Sequence, residues 1–178
     1  MTLETATFAG GCFWCIETVF NRISGVESAL SGYMGGHTPS PTYRDICNGD
    51  TGHAEVVQVR FDPSVIAFDA LLDVFFALHD PTQLNRQGND VGTQYRSAIF
   101  FHSPAQEAAA RAKVAELQTV SAAPVVTGIT PASEFFVAED YHQRYYEANP
   151  EQPYCRYVVA PKVVKAQTNF ARWLKPGT

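Results

Sequence analysis

The stretch TATFAGGCFWCIETVFNRI, residues 5–23, decides the first part of the fold. It opens with a run that is typical of a short strand and ends at two glycines. The apolar residues that then recur at steps of three and four are Phe13, Ile16, Phe20 and Ile23. This spacing predicts a helix that begins beside Cys12, and Gly25 is well placed to end it.

The chain beyond this helix continues with further strands and a second helix. The stretches that predict them are strands over 26–36, 53–63 and 95–103, and a helix over 64–80. The resulting order, β-α-β-β-α-β, is that of the split βαβ unit, an antiparallel sheet with two helices on one face. The predicted fold class is therefore α+β, a ferredoxin-like split β-α-β two-layer sandwich with long loops.

The rest of the sequence predicts additions to this unit. They are a helix over 103–118 with Ser103 as its N-cap, a fifth strand over 124–130, and helices over 138–150 and 160–174. We expect a single catalytic domain over 1–178, with a core of about 5–150 and a C-terminal extension of about 151–178. The loops at 34–53 and 80–94 are long, and long ordered loops are usually functional.

Composition and charge exclude several classes of function. The chain has 178 residues, a net charge of −5 and no cluster of Lys and Arg, so nucleic acid and anionic membranes are not expected partners. The first residues lack the basic region and apolar run of a signal peptide, and no apolar stretch is long enough to span a bilayer. We therefore expect a monomer that works in the cytoplasm.

The four cysteines are expected to be free or catalytic, because the cytoplasm is reducing. Cys12 is the best candidate nucleophile, since the positive end of a helix favours the thiolate. The alternative is a small buried core residue. Cys15 could form a disulfide with Cys12, as C-x-x-C pairs at helix starts do. A structural zinc site needs a second close pair, and Cys47 and Cys155 stand alone, so no metal is expected.

Several separated motifs resemble those of the peptide methionine sulfoxide reductases of the A type. They are GGCFWC (10–15), PTYRDICNGDTGHAEVVQVRFDP (41–63), NDVGTQYRSAIF (89–100) and FFVAEDYHQRYYEANP (135–150). Their order is right, and the resemblance covers roughly residues 5 to 160. It implies reduction of methionine S-sulfoxide, free and in proteins, as a repair of oxidative damage. It also implies thioredoxin as the reductant and no cofactor.

The resemblance implies a role for each site residue. The implied catalytic residues are Cys12 as the nucleophile and Glu55 as the acid that protonates the sulfoxide oxygen. The implied substrate-binding residues are Phe13 and Trp14 for the methyl group, Tyr43 and Tyr95 for the oxygen, and Asp90 for orientation. For Glu55 the local sequence supports the implied role as an acid, because a carboxyl partly buried in an apolar strand has a raised pKa and stays protonated. Without the motif it would be a solvated residue at a strand end.

The thiol that reduces the oxidised nucleophile is left open. A sulfenic acid on Cys12 needs a second thiol to form a disulfide. Cys15 is favoured for its proximity, since a disulfide requires Cα atoms within about 7 Å. By resemblance Cys155 is the alternative, because other members carry a resolving cysteine in the tail. The sequence after Cys155 is not glycine-rich, so a flexible tail is not indicated.

Two functions from other classes compete with this interpretation. A general thiol–disulfide oxidoreductase would use Cys12 and Cys15 and would turn over disulfides without any sulfoxide. A non-enzymatic domain would bind a partner peptide through its aromatic loops and would have no reactive thiol. The five histidines are scattered, and each is more typical of a hydrogen-bonded or solvent-exposed residue than of a catalytic one.

Overall fold

The computed structural model describes residues 2–178. The strands are β1 (Glu4–Gly10), β2 (Val26–Met34), β3 (Ala54–Phe61), β4 (Arg86–Gln87), β5 (Asp90–Val91), β6 (Ser97–Phe101), β7 (Gly128–Pro131) and β8 (Phe136–Val137). The α-helices are α1 (Phe13–Asn21), α2 (Tyr43–Asn48), α3 (Phe68–Ala77), α4 (Pro104–Val120), α5 (Tyr145–Ala148) and α6 (Ala160–Asn169). In residues 2–178, no helix has the length and apolar character needed to cross a membrane.

The central sheet confirms the predicted fold class. Its strand order is β7-β6-β1-β3-β2-β8. The four middle strands run β6-β1-β3-β2 with antiparallel neighbours, which is the order of the ferredoxin-like split βαβ unit. The predicted fifth strand is β7, and it pairs with β6 in parallel because α4 returns the chain to the same end of the sheet.

The main core lies between the sheet and helices α1 and α3. Side chains alternate along β1, so Phe8 faces the helices while Ala9 faces the second, smaller cluster on the other side of the sheet. Phe8 stacks on Phe20 of α1 at 5.3 Å and on Phe75 of α3 at 5.0 Å. Burial of one such ring stabilises a fold by roughly 1.5–3 kcal/mol, so these contacts fix α1 firmly on the sheet.

Both long loops contain short elements that the sequence did not predict. Residues 34–53 include α2, which a capping box begins: the Thr42 hydroxyl accepts from the Asp45 N–H at 3.2 Å, and the Asp45 carboxylate accepts from the Thr42 N–H at 2.9 Å. Residues 80–94 include the β4–β5 hairpin, which turns at Gly88 with φ 56°. The flanking proline and glycine signals obscured both elements.

The C-terminal residues pack on the core. A π-helical turn, Cys155–Val159, runs directly into α6, and α6 packs against α1. Further on, Ile23 and Leu174 form an isolated bridge, and the Lys175 N–H donates to the Arg22 carbonyl at 2.8 Å. The predicted last helix over 160–174 is α6, which begins at residue 160 directly after the π-helical turn and ends at Asn169 before a 3₁₀ turn.

Candidate active site

A cavity of about 210 Å³ opens at the N-terminus of α1. Its lining includes all the residues to which the sequence analysis assigned nucleophilic, acid or substrate-binding roles: Cys12, Phe13, Trp14, Tyr43, Glu55, Asp90 and Tyr95. They come from α1, α2, β3, the β4–β5 hairpin and the turn after it. The structure therefore brings together side chains that lie far apart in the sequence.

Cys12 is the N-cap residue of α1 and is partly exposed in the cavity. Gly11 precedes it with φ 90°, and a Cβ there would meet the Gln87 side chain at 2.8 Å, so the turn requires glycine. Burial raises the pKa of the Cys12 thiol well above its ordinary value, and Glu55 adds to this effect. The neighbouring Trp14 N–H and Tyr154 hydroxyl oppose this rise in the pKa but do not outweigh burial. Burial and the nearby carboxyl therefore favour the thiol form of Cys12 and oppose the effect of the helix end.

Glu55 lies near the start of β3 and is only 2% exposed. Burial raises the pKa of its carboxyl from 4.5 to about 8, the Phe13 N–H opposes this rise, and Asp90 adds to it. The Phe13 N–H donates to Glu55 Oε1 at 3.2 Å, which fixes the carboxyl beside the start of α1. The carboxyl is thus protonated at neutral pH and can act as an acid.

The aromatic rings of Phe13 and Trp14 are held from behind. The Trp14 ring stacks on Tyr145 at 3.9 Å with an interplanar angle of 10°. Its indole N–H donates to Nδ1 of His142 at 3.1 Å. Phe13 packs between Tyr33 at 5.8 Å and His142 at 5.1 Å. These contacts leave an apolar surface next to the Cys12 sulfur that suits a small alkyl group.

Tyr43 and Tyr95 supply hydroxyl groups to the same cavity. Burial, followed by the nearby Glu55, raises the pKa of both phenols, so they stay protonated and can donate. The Tyr43 N–H donates to Glu139 Oε2 at 2.8 Å, and this bond holds the start of α2. Tyr95 ends the 3₁₀ turn Thr93–Tyr95 just before β6.

Two lining residues, Gln152 and Tyr154, were missed by the sequence analysis. The Tyr154 hydroxyl donates to Asp90 Oδ2, so it ties the C-terminal part of the chain to the hairpin. Burial raises the pKa of Tyr154, and the neighbouring Cys12 adds to this rise. The only signal in the sequence was its position directly before Cys155, which does not show that the tyrosine faces the nucleophile.

The four thiols are all free in the described chain. Cys15 is buried in the first turn of α1, and its Sγ donates to the Cys12 carbonyl at 3.4 Å. Cys155 is buried in the π-helical turn behind Tyr154 and does not line the cavity. Cys47 is exposed on α2. Among residues 2–178, no group of His, Cys, Asp and Glu side chains is arranged to hold a metal ion.

The comparisons with known proteins agree with this geometry. The family model described as peptide methionine sulfoxide reductase matches residues 4–174. The curated peptide methionine sulfoxide reductase MsrA of Pasteurella multocida is 54% identical over 167 residues, which cover 94% of this chain and 96% of that protein.

Solved structures are similar over most of the chain. The crystal structure of Mxr1 from Saccharomyces cerevisiae in reduced form has a TM-score of 0.77 and 40% identity, and it covers 84% of this chain and 87% of that one. The structure of Mxr1 in complex with Trx2 has a TM-score of 0.54 and 29% identity, over 80% and 84% of the two chains.

Proposed function

This chain belongs to the peptide methionine sulfoxide reductase family, and from that premise we propose how its cavity performs the family's reaction. The enzyme reduces methionine S-sulfoxide, free and in proteins, to methionine. The observation that carries the proposal is the shared lining of one cavity by Cys12, Glu55, Tyr43 and Tyr95. A thiol, an acid and two hydroxyl donors are what an attack on a weakly electrophilic sulfoxide sulfur requires.

The substrate methyl group lies against Phe13 and Trp14, and the sulfoxide oxygen faces Glu55 and the two tyrosine hydroxyls. These donors polarise the oxygen and make the sulfur electrophilic. The Cys12 sulfur attacks the substrate sulfur while Glu55 gives its proton to the oxygen. The thiol proton of Cys12 then restores Glu55.

The first half-reaction leaves methionine and a Cys12 sulfenic acid. The sulfur–oxygen bond of the substrate breaks, the substrate sulfur gains two electrons, and Cys12 loses two. The oxygen stays with Cys12 in the sulfenic acid and leaves as water when a second thiol forms a disulfide. Thioredoxin reduces this disulfide by thiol–disulfide exchange and returns both cysteines to thiols.

We propose Cys15 as the second thiol. Residues three apart at a helix start have Cβ atoms about 5–6 Å from each other, somewhat more than the roughly 3.5–4.5 Å of a disulfide, so the first turn of α1 has to loosen for the bond to form. The bond between Cys15 Sγ and the Cys12 carbonyl supports this proximity. Cys155 is the alternative, since it follows Tyr154 of the cavity, but the π-helical turn around it would have to open first.

Replacing Cys15, the proposed second thiol, distinguishes the reduction of the first sulfoxide from the recycling of the enzyme. We expect Cys15→Ser to release one equivalent of methionine at close to the wild-type rate and then to stop, because the sulfenic acid has no nearby thiol. With thioredoxin the steady-state rate falls by roughly tenfold or more. Rapid-quench counting of methionine and a thioredoxin-coupled assay measure the two rates.

The matched variant for this test is Cys155→Ser. Under the assignment to Cys15 it recycles like the wild type. If Cys155→Ser stops after one turnover and Cys15→Ser recycles normally, Cys155 is the resolving residue and the assignment is wrong. Peptide mapping of the disulfide formed after one turnover identifies the pair directly.

The overall reaction is tested by mass spectrometry on the reduced enzyme. After one equivalent of methionine S-sulfoxide, we expect the protein to lose two hydrogens and methionine to appear. A general thiol–disulfide oxidoreductase would instead be unchanged by the sulfoxide and would reduce insulin disulfides. Family membership favours the sulfoxide reaction over that alternative.

We also propose that the whole of residues 1–178 forms one catalytic domain that works as a monomer in the cytoplasm. Gln152 and Tyr154, within the C-terminal extension, contribute to the same cavity as Cys12. Recycling by a dithiol requires a reducing compartment, and this requirement supports the cytoplasm.

A further inference from the structure

The rings of the cavity are backed by residues 139–148, which we name the backing segment. His142 accepts the Trp14 indole N–H, and its ring lies 4.4 Å from that of Tyr43. Tyr145 stacks on Trp14. At the start of the segment Glu139 accepts from the Tyr43 N–H and from the Tyr33 hydroxyl. The position of this segment therefore determines how Trp14 and Tyr43 face the substrate.

The backing segment has little regular structure of its own. It contains the 3₁₀ turn Asp140–His142 and the four-residue helix α5. Between them Arg144 has φ 53° and ψ 36°, a left-handed conformation that is unfavourable for a residue with a Cβ atom. Such a conformation persists only where the surrounding structure enforces it. An external contact is therefore needed at Arg144.

Glu17 of α1 supplies that contact. Its carboxylate accepts the Arg144 N–H at 2.8 Å through Oε1 and at 3.1 Å through Oε2. Glu17 lies three residues after Trp14, so the two side chains share a face of the helix. The same face thus holds the Trp14 ring and binds the backbone of the segment that backs it.

Burial of Glu17 is unfavourable without a polar partner. The residue is 1% exposed. Burial raises its pKa to about 7, the Arg144 N–H and guanidinium oppose this rise, and Glu147 adds to it. An apolar side chain would pack here at lower cost, so the hydrogen bond to Arg144 is the feature that a carboxylate provides and leucine cannot.

We propose that Glu17 is a positioning residue for the reductase, one that binds the Arg144 N–H and thereby holds the backing segment and the Trp14 ring in the geometry that receives the substrate methyl group. The inference rests on the proposed function of the cavity. Glu17 does not line the cavity, so it acts through Trp14 and the backing segment rather than on the substrate.

Variants at position 17 test this proposal. Glu17→Leu removes both acceptors, and Glu17→Gln keeps one. The control is Thr18→Val, because Thr18 is the next residue of α1, is equally buried, and its hydroxyl has no hydrogen-bond partner among the described residues. For Glu17→Leu we expect KM for methionine S-sulfoxide to rise roughly tenfold, with kcat changed by less than about twofold. Glu17→Gln and Thr18→Val stay close to wild type.

Two measurements report the position of the segment without any activity. The chain has two tryptophans, so in a Trp173→Phe background all tryptophan fluorescence comes from Trp14. In Glu17→Leu we expect a red shift of Trp14 emission, because water reaches the ring, and faster amide exchange in residues 140–148. If Glu17→Leu does not fold, Glu17→Asp replaces it, since the shorter side chain keeps the charge but withdraws the acceptors.

Some outcomes would overturn the proposal. One is a folded Glu17→Leu or Glu17→Asp with unchanged KM, Trp14 emission and exchange. Another is a loss of activity in proportion to the unfolded fraction, with KM unchanged, which would make Glu17 a stability residue only. If the wild type does not reduce methionine S-sulfoxide, the proposed function fails, while emission and exchange still decide the role of Glu17.

Discussion

Cys12→Ser is expected to lower kcat/KM for methionine S-sulfoxide by ~10³-fold or more. The serine hydroxyl stays protonated at any accessible pH and is a far weaker nucleophile toward sulfur. It also cannot form the sulfenic acid that a second thiol converts to a disulfide. Single-turnover release of methionine, followed by rapid quench, measures this loss without interference from recycling.

The effect should come from chemistry and not from binding or folding. Cys12 is partly exposed and caps α1 without a side-chain hydrogen bond. The free energy of unfolding of the variant should therefore lie within about 0.5 kcal/mol of the wild-type value. Binding of the sulfoxide, measured by Trp14 emission, should be nearly unchanged. Cys47→Ser is the matched control, because Cys47 is exposed on α2 and does not line the cavity. Full activity in Cys12→Ser would end the proposed mechanism.

The central fold could be predicted because its signals are local. The helical spacing from Phe13 to Ile23 and the apolar strands around it determine which elements form and in what order. The element order then leaves few topologies, and the observed β6-β1-β3-β2 arrangement is the expected one. The short α2 and the β4–β5 hairpin were missed because each depends on a few capping or turn residues within glycine- and proline-rich loops.

The active site could be predicted less fully from local sequence patterns than the fold. The residues alone indicate a reactive cysteine at a helix start, whereas the roles of Tyr43, Glu55 and Tyr95 came from resemblance. Tyr154 was missed because its position in the cavity depends on the packing of α6 against α1, a contact between distant segments. The sequence also does not show how strongly burial opposes the effect of the helix end on the pKa of Cys12.

The second large effect is expected for Glu55→Gln. The amide can still donate a hydrogen bond to the sulfoxide oxygen, but it cannot transfer a proton. We expect kcat to fall by ~10²–10³-fold, the usual range for loss of a general acid, with a smaller change in KM. Glu116→Gln, which replaces an exposed carboxyl on α4 that does not line the cavity, is the control for charge removal and should leave kcat unchanged. A Glu55→Gln enzyme with wild-type kcat would remove Glu55 from the mechanism.

The pH dependence gives an independent test of the same assignment. Because the pKa of Glu55 is about 8, the acid form dominates below that pH and wild-type activity should decline as pH rises through it. In Glu55→Gln this decline disappears. Removal of the carboxylate charge also lowers the pKa of Cys12, so its alkylation by iodoacetamide should reach half-maximum at a lower pH than in the wild type.

Folding stability should follow the same titration with a definite sign. Glu55 keeps its proton in the folded state up to about pH 8, whereas a carboxyl with the ordinary value of 4.5 loses it in the unfolded state. The unfolded state therefore binds fewer protons between these values, and the stability of the wild type falls as pH rises through that window. The glutamine of Glu55→Gln does not titrate, so the stability of the variant does not fall in this window. Its free energy of unfolding relative to wild type should rise by on the order of a few kcal/mol between pH 5 and pH 8. Urea unfolding of both proteins across this range measures the difference. If the free energies of unfolding of the two proteins depend on pH in the same way, the buried carboxyl does not hold the proton on which the reaction depends.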